Sequence, residues 1–182
     1  MKEELGLTIG KVTLSSYNPK WKTIFEEEKK NLETLLAPIA KEIEHVGSTS
    51  IEGLSAKPII DIAIGLDDLK DFSKIKEKIK PPYYVKENPT EGEELIVKRK
   101  DETTTTHLIH VMDRNKQRYQ ETIEFRNYLI PHEKTKKDYE KLKKSLAKQY
   151  SEDRKTYTAS KNDFIKEVLR KSREEKHQEK IS

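Results

Sequence analysis

The run Pro58-Ile59-Ile60-Asp61-Ile62-Ala63-Ile64 constrains this chain more than any other stretch, because it is apolar and largely β-branched with one carboxylate inside it. Such a run suits a strand covered on both faces, at the centre of a sheet flanked by helices. A lone ionised carboxylate there carries a desolvation cost of several kcal/mol unless a cation, a metal or several donors meet it. Upstream, Gly47-Ser48-Thr49-Ser50 closes a shorter strand at about Ile43–Val46. A small-residue turn of this kind leaves backbone N–H groups and short hydroxyls facing outward, suited to an anion such as phosphate. An anion cradle beside an inward carboxylate is a common construction in metal-assisted phosphate chemistry.

The rest of the chain arranges itself around this unit. Met1–Gly10 reads as a loose arm and Val12-Thr13-Leu14 as a short edge strand. Asn18-Pro19 opens a helix carrying Trp21, Phe25, Leu32, Leu35, Leu36 and Ile39 at helical spacing, with Glu26–Lys30 turned to water. The second central strand runs over about Pro58–Leu66. Asp67-Asp68 caps a helix striped with Leu69, Phe72, Ile75 and Ile79, which Pro81-Pro82 stops. Tyr83–Val85, Leu95–Val97 and Thr106–Met112 read as strands, with a turn at Asn88–Gly92 and a polar loop at Lys100–Thr105. From Lys116 onward three helices follow, the last opened by a capping-box-like Ser160-Lys161-Asn162-Asp163. The expected fold is α/β (α+β): a mixed sheet of about four or five strands flanked by helices, with a helical C-terminal third. Residues 1–172 form one expected domain, and the charged 173–182 tail is expected to be disordered.

Composition narrows the function classes. Charged residues reach 38% and apolar residues 32%, so long solvated helices surround a modest core. The 37 basic and 33 acidic residues are interspersed, and a net charge of +4 does not argue for a nucleic-acid partner. With no cysteine, disulfide and thiol chemistry are excluded. No apolar run is long enough to span a membrane and Met1–Gly10 lacks the core of a signal peptide, so a cytoplasmic protein is expected. The P-loop, dinucleotide, zincin and nucleophile-elbow patterns are all absent.

Gly47-Ser48, twelve intervening residues and then Asp61 between apolar neighbours resembles the signature of the nucleotidyltransferase superfamily. More closely, IEHVGSTSIEGLSAKPIIDIAIGL resembles the GrpB (glutamate-rich protein B) family, which is thought to adopt that fold. YNPKWKTIFEEEK, THLIHV, FRNYLIPH and YTASKNDFI match the same family pattern in order, so the resemblance covers roughly residues 14–170. It implies a Gly-Ser turn that holds nucleotide phosphates and a D-x-[DE] strand that holds Mg²⁺ or Mn²⁺. This chain has Ala63 where the second acid would stand, a departure that the GrpB family shares and that weighs against two-metal nucleotidyl transfer. In the family the histidine strand more often reads T-H-H-L-H-V, and Leu108 takes the middle place here. Fusions of GrpB domains to dephospho-CoA kinase imply a link to coenzyme or nucleotide metabolism.

On this reading the catalytic candidates are Asp61 and Ser48. Phosphate or nucleotide contacts fall to Gly47, Ser48, Thr49, Ser50, Lys57, Arg99 and Lys161. A metal would sit on Asp61 with His110 and His107. His107 and His110 are three apart and face opposite sides of an ideal strand, so His110 is the better substitute for the missing acid. An imidazole suits a transition metal better than Mg²⁺. His45 packs beside the turn, Arg118 and Arg126 are further candidate phosphate grips, and Glu93 or Glu94 offers a remote third carboxylate. Each also has a bland reading as a buried structural group or surface charge. Two functions stay open: metal-dependent nucleotidyl or phosphoryl transfer to an acceptor hydroxyl, and a non-catalytic module holding a nucleotide or other phosphorylated metabolite. A purely structural interaction protein would leave the acid inside the apolar strand unexplained. Base, acceptor and oligomeric state have no signature in the sequence.

Overall fold

A computed structural model of the chain describes residues 5–87 and 89–179. Its elements in order are β1 Leu7–Thr8, α1 Lys20–Leu36, β2 Glu42–Val46, β3 Ile60–Leu66, α2 Phe72–Lys78, β4 Tyr83–Lys86, β5 Glu93–Arg99, β6 Thr104–Asp113, α3 Gln117–Leu129, α4 Glu133–Gln149, α5 Arg154–Ala159 and α6 Asn162–Glu179. The mixed sheet has the order β2-β3-β6-β5-β4, and the two-residue β1 adds to β6. β3 pairs with β2 antiparallel and with β6 parallel, so the apolar run is the inner strand that its composition requires.

Strand alternation divides the sheet into two faces. Ile60, Ile62 and Ile64 of β3 pack with Ile43, Ile96, Ile109 and Val111 beneath α1 and α2, forming the main core. Val46, Ala63 and Met112 point the other way, under Tyr119 of α3. α4, α5 and α6 complete this second side through two further clusters, around Tyr139 and around Tyr157.

The helices start where the sequence directs. Asn18 Oδ1 accepts from the Lys20 amide at 3.0 Å, and Asp68 Oδ1 accepts from the Lys70 amide at 2.9 Å. Several expectations are corrected. Val12–Leu14 is not a strand; the edge strand lies inside the supposed loose arm, where Leu7 and Thr8 pair with Thr105 and Thr104. Val12 is instead buried with Leu146 and Tyr157. Glu28, inside the charged run expected to face water, is 2% exposed and meets Lys98 and Tyr83. Ser160 does not open α6 as a cap, because its hydroxyl donates back to the Thr156 carbonyl. The segment after Ser172 continues as helix to Glu179 along α3, with Arg173 on Glu121, Lys176 on Glu124 and Tyr128 on Glu175. Residues 180–182, Met1–Glu4 and the Asn88 end of the expected turn lie outside the described residues.

Candidate functional site

Asp61 enters the second face at the start of β3, opposite Val46 of β2 and Leu108 of β6. Its carboxylate fills the space in front of the turn. A Cβ on Gly47 would lie 2.5 Å from Asp61 Oδ2, and Gly47 itself has φ +67°, so glycine is required on both counts. The turn and the acid are therefore built as one unit.

Parallel pairing of β3 with β6 sets His110 beside Ala63, the position where a second acid was missing. His110 Nε2 lies 3.8 Å from Asp61 Oδ1, an ion-pair separation too long for a hydrogen bond. Its Nδ1 lies 3.1 Å from Oε2 of the buried Glu93, whose Oε1 accepts from Arg118 at 3.2 Å. A line of Asp61, His110, Glu93 and Arg118 thus crosses the face. Burial opposes protonation of His110, but the two flanking carboxylates prevail and push it up to about 9. Burial likewise pushes Glu93 up, and the His110 and Arg118 charges overcome it and hold the carboxyl at about 2. Burial raises Asp61 too; His110, Lys57 and Lys161 outweigh it, leaving Asp61 below the usual carboxylate range.

Cations crowd the same carboxylate. Lys57 and Lys161 lie over the ring of Tyr157, with ammonium-to-centroid distances of 5.6 and 4.6 Å. Burial, reinforced by the Lys161 charge, pushes Lys57 down to about 8 against the pull of Asp61. Lys143 is buried on α4, donates to the Ser55 carbonyl and sits over Tyr139. Burial and Lys161 push it down to about 7. Arg154 of α5, bonded to the Thr8 and Lys11 carbonyls, also feels Asp61 and is lowered by burial.

The other predicted residues divide. Ser48 reaches the site, beside the phenol of the buried Tyr139. Thr49 is buried against His45 Nε2 at 3.0 Å, and Ser50 donates to the Gly47 carbonyl at 2.6 Å. These hydroxyls hold the turn together, which leaves any anion to the lysines. His45 stacks on Phe25, and burial pushes it down to about 4. Arg126 grips Glu44 and the His45 carbonyl on the edge strand, and Arg99 lies 4.9 Å over Tyr84 at the opposite edge, so neither joins the group. Glu94 alternates to the face away from Glu93. His107, opposite Ile60, is buried on the α1 face with Thr106 and shares no ion with His110. Tyr157, Lys143 and Arg154 were missed; a basic, tyrosine-bearing stretch at 154–161 hinted at Tyr157 and Arg154, and nothing local pointed to Lys143.

The donor set tests the expected metal. Asp61 and His110 are the two donors that converge, Glu93 stands behind His110, and Ala63 offers none. Among the described residues no group of three or more His, Cys, Asp and Glu side chains is arranged to hold a metal ion. Mg²⁺ demands a near-octahedral oxygen shell, and an imidazole set between two carboxylates, with lysines around it, does not supply one. A groove of about 460 Å³ opens not at Asp61 but beside β2, lined by Phe25, His45, Thr49, Ser50, Arg126 and Asn127. The convergence of charge, rather than the volume, marks the site.

Comparison with known proteins gives the family. The family model described as GrpB protein matches residues 11–171. The chain belongs to the GrpB family. It is 39% identical over 170 residues to glutamate-rich protein GrpB of Alkalihalophilus pseudofirmus, covering 91% of this chain and 98% of that one. It is 34% identical over 158 residues to UPF0157 protein YqkA of Bacillus subtilis, covering 86% of this chain and 46% of that longer protein. The crystal structure of conserved protein GrpB from Enterococcus faecalis superposes with a TM-score of 0.76 at 30% identity, over 88% of this chain and 96% of that one. Among the described residues, no helix of this GrpB-family chain is long and apolar enough to cross a membrane.

Proposed function

We propose that this GrpB-family chain is a binding module for a nucleotide or another phosphorylated small molecule, held on the face that carries Asp61. The observation that supports it is the pair Lys57 and Lys161, both over the ring of Tyr157, with no hydrogen bond or salt bridge to a carboxylate among the described residues. Both lysines are half-buried and desolvated; such cations are ordinarily paired, and a phosphate group supplies the missing partner. The ring that both ammonium groups overlie gives an apolar wall that strengthens the contact.

Transfer chemistry is the weaker reading. Ala63 is fully buried under α3 and provides no second acid. Asp61, held below the usual range by its cationic neighbours, is a poor base for an acceptor hydroxyl. The arrangement is suited to hold charge rather than to move a proton. The coenzyme link implied by kinase fusions in the family keeps dephospho-CoA among the ligands to try.

A thermal-shift panel of nucleoside mono-, di- and triphosphates, dephospho-CoA and inorganic phosphate tests the proposal, run with and without Mg²⁺ or Mn²⁺. Binding to the folded state alone raises stability by about 2.7 kcal/mol at a hundredfold excess over Kd. A shift with one phosphorylated class, lost in Lys161→Ala, is expected. Flat melting curves with every ligand under every condition would reject it.

A further inference from the structure

The geometry points to a nucleobase as the second half of the ligand, laid against Tyr84 and Arg99 at the outer end of the row that begins with Asp61. The inference rests on the phosphate-binding reading above and narrows its ligand to a nucleotide.

The strand registers set Asp61 of β3 beside Leu108 of β6, Leu108 beside Val97 of β5, and Val97 beside Tyr84 of β4. Residues paired in this way share a face of the sheet, so all four stand on the face that carries Asp61. Three strand spacings of about 4.8 Å place Tyr84 roughly 14 Å from Asp61. The next row, Ala63, His110 and Leu95, ends at Lys86 of β4. Behind burial and the Lys161 charge, the charge of Lys86 also lowers Lys57, so both ends of the row look onto one space.

The outer end is unlike the rest of the face. Tyr119 and Ile123 of α3 cover Ala63 and Met112, whereas Leu108, Val97 and Tyr84 join none of the apolar clusters beneath the helices. Leu108 is half-buried and Tyr84 is 38% exposed. The Arg99 guanidinium lies 4.9 Å over the Tyr84 ring. Its Nε is buried without a hydrogen-bond partner, and the side chain makes no ion pair among the described residues. An exposed ring beside an unpaired guanidinium offers flat surfaces, and two apolar side chains lead to them from the anion end. A free phosphate gains nothing from such surfaces. A planar base does, because bases stack on aromatic rings and on arginine guanidinium planes alike.

Isothermal titration of the full chain compares each nucleotide with the phosphate chain it carries, in EDTA and with Mg²⁺: AMP with orthophosphate, ADP with pyrophosphate, ATP with tripolyphosphate. In at least one pair the nucleotide is expected to bind about tenfold tighter or more, within the range that stacking one base on one ring supplies. Tyr84→Ala should erase that advantage and leave the affinity for the bare phosphate chain unchanged. Tyr84→Phe keeps the ring and should keep the advantage. So should Val85→Ala, a neighbour of like exposure on the opposite face. Lys161→Gln should weaken both members of each pair. Melting curves establish that each variant is folded. Equal affinities within every pair overturn the inference and leave the phosphate site standing. A nucleotide advantage that survives Tyr84→Ala overturns it in the same way. Nucleotide binding lost in Tyr84→Ala but indifferent to Lys161→Gln overturns the phosphate reading beneath it. Absence of binding by every nucleotide and phosphate in both buffers overturns both readings.

Discussion

The two faces of the sheet treat buried charge in opposite ways. Beneath α1, Glu28 is enclosed with Lys98 and the Tyr83 hydroxyl, acid against cation with a donor to spare. On the opposite face, cations outnumber the acid they surround. The same contrast appears three residues apart in one strand. His107 turns to the α1 face, where burial pushes it down to about 4; His110 turns to the other, where two carboxylates push it up to about 9. A closed network stabilises the fold, whereas an unbalanced one is where the proposed ligand would bind.

The largest effect should come from breaking the balanced face. Lys98→Met leaves Glu28 buried and unpaired, and is expected to cost about 3–4 kcal/mol by urea denaturation. A loss below about 1 kcal/mol would mean that Glu28 is not held by that pair.

The two histidines sharpen the comparison through pH. His110 rises from 6.5 to about 9, so its stabilisation is full below pH 6.5 and is lost as the pH climbs through 9. His110→Gln should therefore cost about 2–3 kcal/mol at pH 6 and little at pH 9.5. His107 falls from 6.5 to about 4, so protonating it opposes folding as the pH drops through that window. The profile of His107→Gln should diverge from wild type only below pH 6.5, and upward. Parallel profiles for the two variants would erase the distinction between the faces.

The smallest effect has the opposite sign. Lys161→Met removes a desolvated cation that makes no direct salt bridge and feels only the longer-range pull of Asp61, and is expected to raise stability at pH 7 by up to about 1 kcal/mol. A melting point lowered by several degrees would show that Lys161 is already balanced within the protein.

What was legible in the sequence follows from how local each signal is. The strand–turn–strand unit around Gly47 and Asp61 announces itself through composition, turn residues and spacing, all within 25 residues. His110 could be placed near Asp61 because a strict strand alternation and one parallel pairing suffice. Glu28 was misread because a run of like polarity hides the single position that rotates inward. α5 was missed because six residues show no periodicity, and its start depends on Asp153 accepting from the Thr156 amide. The roles of Glu93, Lys143 and Tyr157 depend on contacts that no local pattern encodes, such as Glu140 with Ser55 across 85 residues.

That last contact has a consequence for the order in which the protein is made. Ser55 is held by Glu140 and Lys143 of α4, and the ring that Lys57 and Lys161 overlie belongs to α5. The strand bearing Asp61 leaves the ribosome roughly a hundred residues before its partners, which at about 5–20 residues per second is a delay of about 5–20 s. Through that interval the acid and turn exist without the cations that complete them. On the proposed function, a growing chain stays ligand-blind until Lys161 has emerged, and ligand present during synthesis would stabilise only finished molecules.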